Sequence, residues 1–209
     1  MKLYSYATAP SPRRARIFLA EKGITVPTVE VDLRAGQQFE PPFRQINADC
    51  TIPVLELDNG VRISDAVAIC VYFEELQPEP SLMGRGAEEK AQIAAWQRRA
   101  ERDGFYAVME ALRNFARSFK GRAVPGADNY EQIPALAERG RLRVQRFFEA
   151  MDARLADREW ITADRYTIAD ITTQVTVDFA KWVKVEIPEN ATNLGRWFRN
   201  VSARPSAKA

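Results

Sequence analysis

A small α/β unit followed by an all-helical unit is the fold class that this 209-residue sequence predicts. Three observations predict it. Short strand-like and helix-like runs alternate from the N-terminus to about Leu76. Gln77-Pro78-Glu79-Pro80-Ser81 then interrupts both kinds of element, because closely spaced prolines suit neither helix nor sheet. Beyond the break, apolar residues recur at helical spacing. The boundaries read from this pattern are 1–77 for the α/β unit, 78–88 for a linker and 89–209 for the helical unit.

Each element has its own local reason. Lys2 to Tyr6 reads as a strand, and Ser11 to Lys22 as a helix ending at Gly23. Ser11 is a suitable N-cap, Pro12 fits the first helical position and Gly23 fits the position just past the end. Thr28 to Asp32 is a second strand rich in β-branched residues, and Glu40 to Ile46 a short irregular helix. Val54–Leu57 and Val61–Ile63 flank Asp58-Asn59-Gly60, a hairpin signal. Asp65 to Leu76 closes a β-α-β-α-β-β-α order. In the second half, Val108, Leu112, Phe115 and Phe119 share one face of a helix that starts near Ala87. Val144, Phe147, Phe148, Met151 and Leu155 mark another, with Gly121 to Pro134 as the loop between them.

Composition narrows the chemistry. The chain holds 46% hydrophobic and 28% charged residues, enough for a core and a solvated surface. The longest apolar run, Ala66 to Phe73, is too short to span a bilayer, and the N-terminus has no apolar core of a secretory signal. With 30 basic against 28 acidic residues, the charge gives no ground for a nucleic-acid partner. The two halves differ, however. Up to Pro80 there are 8 basic and 11 acidic residues, and beyond it 22 and 17. A basic helical unit beside an acidic α/β unit would draw in small anions; a solvated helix surface explains the same count. No histidine is present, so Ser-His-Asp and Cys-His hydrolases and histidine-ligated zinc are excluded, and no metal site is expected. Cys50 and Cys70 have no paired spacing, which points to a reduced, cytoplasmic setting.

Two stretches carry binding chemistry. In Thr51-Ile52-Pro53-Val54 the proline belongs at a strand start or edge, since it cannot donate to a ladder. A cis bond there would turn Ile52 outward, so that its N–H and C=O could pair with an extended peptide as an added strand would. Edge protection alone accounts for such a proline as well. Ser64-Asp65-Ala66 opens a helix, where an acidic residue complements the dipole or caps. The same position can pair Asp65 with a ligand ammonium and the Ala66 amide with a ligand carboxylate, reading an α-amino-acid end.

The element order, the Thr-Ile-Pro-Val turn and Ile63-Ser64-Asp65-Ala66-Val67-Ala68-Ile69 together resemble the thioredoxin-like domain of glutathione S-transferases, where Glu-Ser commonly stands at Asp65-Ala66. Tyr166-Thr167-Ile168-Ala169-Asp170 resembles the family's capping box with its hydrophobic staple. Its local physics is a cap at Thr167, a return bond from Asp170 and packing of Tyr166 on Ile171. The resemblance extends over the whole chain and implies a bacterial-type cytosolic enzyme.

What the resemblance implies is a borrowed nucleophile. Glutathione becomes the co-substrate, with its thiol ionised by the protein. A free thiol near pKa 8.5 is only a few per cent thiolate at neutral pH, and lowering it by about two units needs roughly 2.7 kcal/mol. A helix N-terminus and one or two hydrogen bonds can supply that. The family places its sulfur-facing residue at the first strand end or helix start. Ser11 is the expected thiolate stabiliser, through hydroxyl or amide, with Tyr6 and Thr8 as reserves. Gln38 and Thr51 match positions near the glycine end of glutathione, Ile52 and Pro53 its backbone, and Asp65 and Ala66 its γ-glutamyl end. Ala66 lacks the family's serine hydroxyl, which should weaken the ligand by about 0.5–1.5 kcal/mol. Phe105, Tyr106, Met109, Arg113 and Phe115 are the expected pocket for a small hydrophobic electrophile, arginine suiting an anionic or polarised group. Cys50 could form a mixed disulfide with glutathione, although a small buried structural cysteine explains it too. The resemblance further implies a detoxification role and a homodimer, with no membrane or nucleic-acid partner. Its alternatives are a glutathione-dependent peroxidase or disulfide reductase, and a non-catalytic scaffold of transferase-like fold.

Overall fold

β1 (Lys2–Ser5) is central in a four-stranded sheet of order β2-β1-β3-β4, with β2 spanning Thr28–Glu30, β3 Val54–Glu56 and β4 Arg62–Ile63. The structure is a computed structural model that describes residues 1–209. β1 and β2 are parallel, Tyr4 opposite Val29, and α1 (Pro10–Glu21) makes the crossover between them. β3 runs antiparallel to β1 with Val54 opposite Tyr4, and β4 antiparallel to β3 with Ile63 opposite Leu55. Side chains alternate across the strands. Leu3 and Leu55 enter a core shared with Ile17, Phe18 and Ile69, while Tyr4 and Val54 meet Phe43 and Val31 on the other face. α2 (Pro41–Arg44) supplies Phe43, and α3 (Ala66–Leu76) covers the main core.

The chain then turns through the prolines into α4 (Gly86–Arg99), α5 (Tyr106–Phe115), α6 (Pro134–Arg154), α7 (Ile168–Ala180) and α8 (Thr192–Ser202). The linker is pinned from the α/β side. The buried Lys22 ammonium pairs with Glu74 at 2.6 Å and donates to the carbonyls of Gln77 and Pro80 at 2.6 and 2.9 Å. Phe105, Phe148 and Trp197 continue the same hydrophobic core begun by α1 and the sheet. α5 and α6 approach closely because Gly140 has no side chain: a Cβ there would lie 2.7 Å from the Ala107 carbonyl oxygen.

The α/β-then-helical order stands as the sequence predicts, but several elements differ in detail. α1 begins two residues earlier than the expected cap, with Ala9 as N-cap and Pro10 as its first residue, so Ser11 lies inside the first turn and caps nothing. Proline's preset φ takes the first helical position ahead of the serine. The expected continuous helix from Ala87 through Phe119 is interrupted by a π-helical segment, Ala100–Phe105, and ends at Phe115 where Ala116 becomes extended. Val108 is buried mid-helix, while Phe115, on the same face but the last residue of α5, is exposed, and Phe119 falls in a separate short turn.

Candidate functional site

Strand directions bring the candidate residues to one end of the sheet. β1 runs up to Ser5 and hands the chain to the start of α1. Because β3 is antiparallel to β1, its N-terminal neighbours Ile52 and Pro53 lie beside that same end. Because β4 reverses again, its exit, Ile63 to Asp65, lies there too. With strands about 4.8 Å apart, the three groups span on the order of 10 Å, the length of an extended tripeptide.

At each corner the backbone is left open. Pro10 and Pro12 have no N–H, Ala9 N–H goes to the Tyr6 carbonyl and Arg13 N–H to the Ala9 carbonyl. Ser11 therefore carries the one free amide of the first turn of α1, at the positive end of the helix dipole. The Ile52–Pro53 peptide bond is cis, and neither the N–H nor the C=O of Ile52 bonds to another backbone group. Asp65 caps α3, accepting from Val67 N–H at 2.8 Å and Ala68 N–H at 2.9 Å through one oxygen, Oδ1. Oδ2 makes no bond, and the Ala66 N–H has no acceptor within its helix. An anion-seeking amide and an exposed carboxylate oxygen thus sit side by side, which suits an ammonium and a carboxylate on one carbon.

The remaining candidates are distributed unevenly. The Ser11 hydroxyl accepts from Arg14 Nη2 at 3.1 Å. The loop below it is tied by Arg16, which donates to Ser5 Oγ at 2.9 Å and to the Ala7 carbonyl at 2.7 Å. Tyr6 contributes its carbonyl to these bonds, and Thr8 is exposed. Thr51 is held by Asn47, whose Nδ2 donates to its carbonyl at 2.8 Å and its hydroxyl at 3.0 Å. The Gln38 carbonyl oxygen is buried without a partner. Cys50 and Cys70 are both buried free thiols, and burial raises the Cys70 thiol beyond any useful acidity.

Across the seam, Tyr106, Met109 and Arg113 share one face of α5 by spacing. The phenol of Tyr106 is raised by burial and then by the charge of Glu101, with Arg14 opposing and Asp65 adding to it. Phe105 is instead core: it is 4% exposed, stacks against Phe179 at 5.5 Å and supports the Arg14 guanidinium at 4.3 Å. Phe115 lies on the opposite face of α5, against Arg141. Arg113 is drawn down to about 10 by burial and by Arg122, and its Nε–H is buried without an acceptor. Arg122 stacks on Phe39 at 3.6 Å, beside Gln38, with no carboxylate partner. Arg14, Glu101 and Arg122 were not among the residues expected from sequence. Only the three-residue spacing of Ser11 and Arg14 could have signalled one of them.

Comparison with known proteins bears on this geometry. Residues 8–76 match the family described as "Glutathione S-transferase, N-terminal domain", and residues 107–205 "Glutathione S-transferase, C-terminal domain". The chain is 32% identical to "Glutathione S-transferase 2" of Saccharomyces cerevisiae, over 100% of this chain and 88% of that protein. Among solved structures, a glutathione S-transferase domain-containing protein of Marinobacter aquaeolei superposes with TM-score 0.90 at 36% identity, covering 99% of both chains. A glutathione S-transferase of class Gtt2 from Vibrio parahaemolyticus does so with TM-score 0.84 at 35% identity, covering 99% of this chain and 95% of that one.

Proposed function

Because the chain belongs to the glutathione S-transferase family, we propose that residues 1–77 bind glutathione along Ile52 and ionise its thiol at Ser11 for attack on an electrophile held against the helical residues. The observation that carries this reading is the set of open backbone groups at one sheet end: the amides of Ser11, Ile52 and Ala66, with the Ile52 carbonyl and Asp65 Oδ2. Their roles follow from charge. Asp65 Oδ2 takes the γ-glutamyl ammonium and the Ala66 amide its carboxylate. Ile52 pairs with the cysteinyl backbone as a short antiparallel strand does. Gln38 and Thr51 face the glycine end.

The sulfur then lies over the start of α1, where the Ser11 amide and hydroxyl stabilise the thiolate. The thiol proton passes to solvent. The thiolate forms a carbon–sulfur bond as the bond to the leaving group breaks, and the leaving group departs with the electron pair. Tyr106 and Met109 supply an apolar wall. Arg113 and Arg122, which have no carboxylate partners, support an acceptor with an anionic or polarised group. No helix is long and apolar enough to cross a membrane, and the proposed setting is a cytoplasmic homodimer acting in detoxification.

Titration calorimetry with glutathione tests the binding step, and turnover of an aryl halide against a peroxide tests the chemistry. Saturable heat with aryl conjugation is expected. Heat with peroxide turnover alone would move the reading to a peroxidase, and no heat at millimolar glutathione would leave a transferase-like scaffold.

A further inference from the structure

Arg14 is almost fully buried, at 3% exposure, in the seam between α1 and the helical half. Its Nη1 pairs with Glu101 Oε1 at 2.7 Å, its Nη2 donates to Ser11 Oγ at 3.1 Å and its Nε–H is buried without an acceptor. Glu101 is itself shared, because Arg98 reaches its other oxygen at 3.4 Å. The buried Arg14 and the largely exposed Arg98 thus share one carboxylate, and of the two it is Arg14 that touches Ser11. Breaking such a buried pair is costly, and here one guanidinium donor stays unsatisfied besides.

We propose that Arg14 is a positioning residue for the sulfur site, and that Glu101, contributed by the helical half, sets how much of its positive field reaches Ser11. The inference rests on the reading of Ser11 as the sulfur-facing residue. The Arg14 bond occupies a lone pair of the Ser11 hydroxyl and directs its proton away from the guanidinium. A hydroxyl that accepts from a cation becomes a stronger donor in turn. The other charged and titratable groups around this cluster are Asp65, Cys70 and Glu74 of α3, the last paired with Lys22, Tyr106 of α5, and Arg13, whose partner Asp178 of α7 at 2.8 Å is shared with Lys181. The one carboxylate among them that is not already paired is Asp65, which is exposed, so Glu101 is the buried counter-charge to Arg14. Thiol ionisation would consequently depend on the seating of the helical half against α1.

The test is the ultraviolet thiolate titration of bound reduced glutathione in wild type, Glu101→Gln and the double variant Arg14→Met/Glu101→Gln. Gln keeps the shape of Glu101 and an acceptor for Arg14, so the first variant unmasks a positive charge. Its bound thiol should titrate about half a pH unit or more below wild type, and that of the double variant about one unit above it. A structural fastening alone would lower melting temperature in both variants and leave the titration unmoved. If the double variant does not fold, the sign in Glu101→Gln decides by itself: a fall upholds the inference, and no change or a rise overturns it. A wild type whose bound thiol titrates as free glutathione does would overturn the site reading together with the inference. A lowered wild-type value that Glu101→Gln leaves in place would overturn the inference alone.

Discussion

Asp65 at the start of α3 stands in solvent with one carboxylate oxygen in use, whereas Asp170 in the first turn of α7 is fully buried with both oxygens occupied. Asp170 Oδ1 accepts from Ile161 N–H and Trp197 Nε1, each at 3.0 Å, and Oδ2 from the Thr167 amide at 3.0 Å and hydroxyl at 2.9 Å. Both residues begin helices, and both sit where an acidic side chain complements the dipole. The difference is satisfaction. A carboxylate whose bonding capacity is filled by its own chain holds the fold together. One left half empty at the margin of a sheet is available to a ligand. The open backbone corners lie in the α/β half, and the closed network around Asp170 lies under the helices.

The largest effect expected from breaking this contrast is at Asp170. Asp170→Ala would leave three buried N–H donors without acceptors and should lower stability by more than about 3 kcal/mol in chemical denaturation. Glutathione affinity of the folded fraction should stay unchanged. Burial also pushes the Asp170 carboxyl up to about 6 from 3.8, against the pull of its donors. The folded state therefore holds this proton more tightly than the unfolded chain, and stability from this group is complete below about pH 4 and lost as pH rises to about 6. That loss amounts to roughly 3 kcal/mol at most. Denaturation of wild type and Asp170→Asn across this window should give a difference that shrinks as pH rises.

Asp65 should behave in the opposite manner. Asp65→Ala removes a charged contact to the proposed ligand ammonium, so calorimetry should find glutathione bound roughly ten- to hundred-fold more weakly. Its cap is lost as well, at a cost of about 1 kcal/mol to the fold. Smallest is Ala66→Ser, which restores a hydroxyl at the start of α3 and should tighten glutathione by a few-fold. An Asp65→Ala protein that binds glutathione as wild type does would erase the distinction between the two aspartates.

Much of this contrast could be read from the chain before any coordinates. Periodicity and the hairpin at Asp58–Gly60 gave the sheet and its covering helices. The box from Tyr166 to Asp170 stands as read, since Asp170 does reach back to Thr167. Its tyrosine shares the core with Ile171, donates to Gln174 at 2.6 Å and packs edge-on against Trp160. Local rules failed where two of them competed at one place. Ser11 and Pro10 both bid for the start of α1, and the proline's fixed φ prevailed. The π turn from Ala100 to Phe105 carries no mark in its composition, and neither does the end of α5 at Phe115 that leaves this side chain exposed. Contacts between distant segments were also illegible: Arg14 meets Glu101 across 87 positions, and Arg122 meets Phe39 across the seam.

The central claim is that the protein keeps particular main-chain donors vacant for a tripeptide, and backbone amide NMR during a glutathione titration tests it most directly. The amides of Ser11, Ile52 and Ala66 should show the largest shifts and gain protection from solvent exchange as the ligand saturates. Saturation that leaves these three resonances in place, with the shifts elsewhere on the surface, would contradict it.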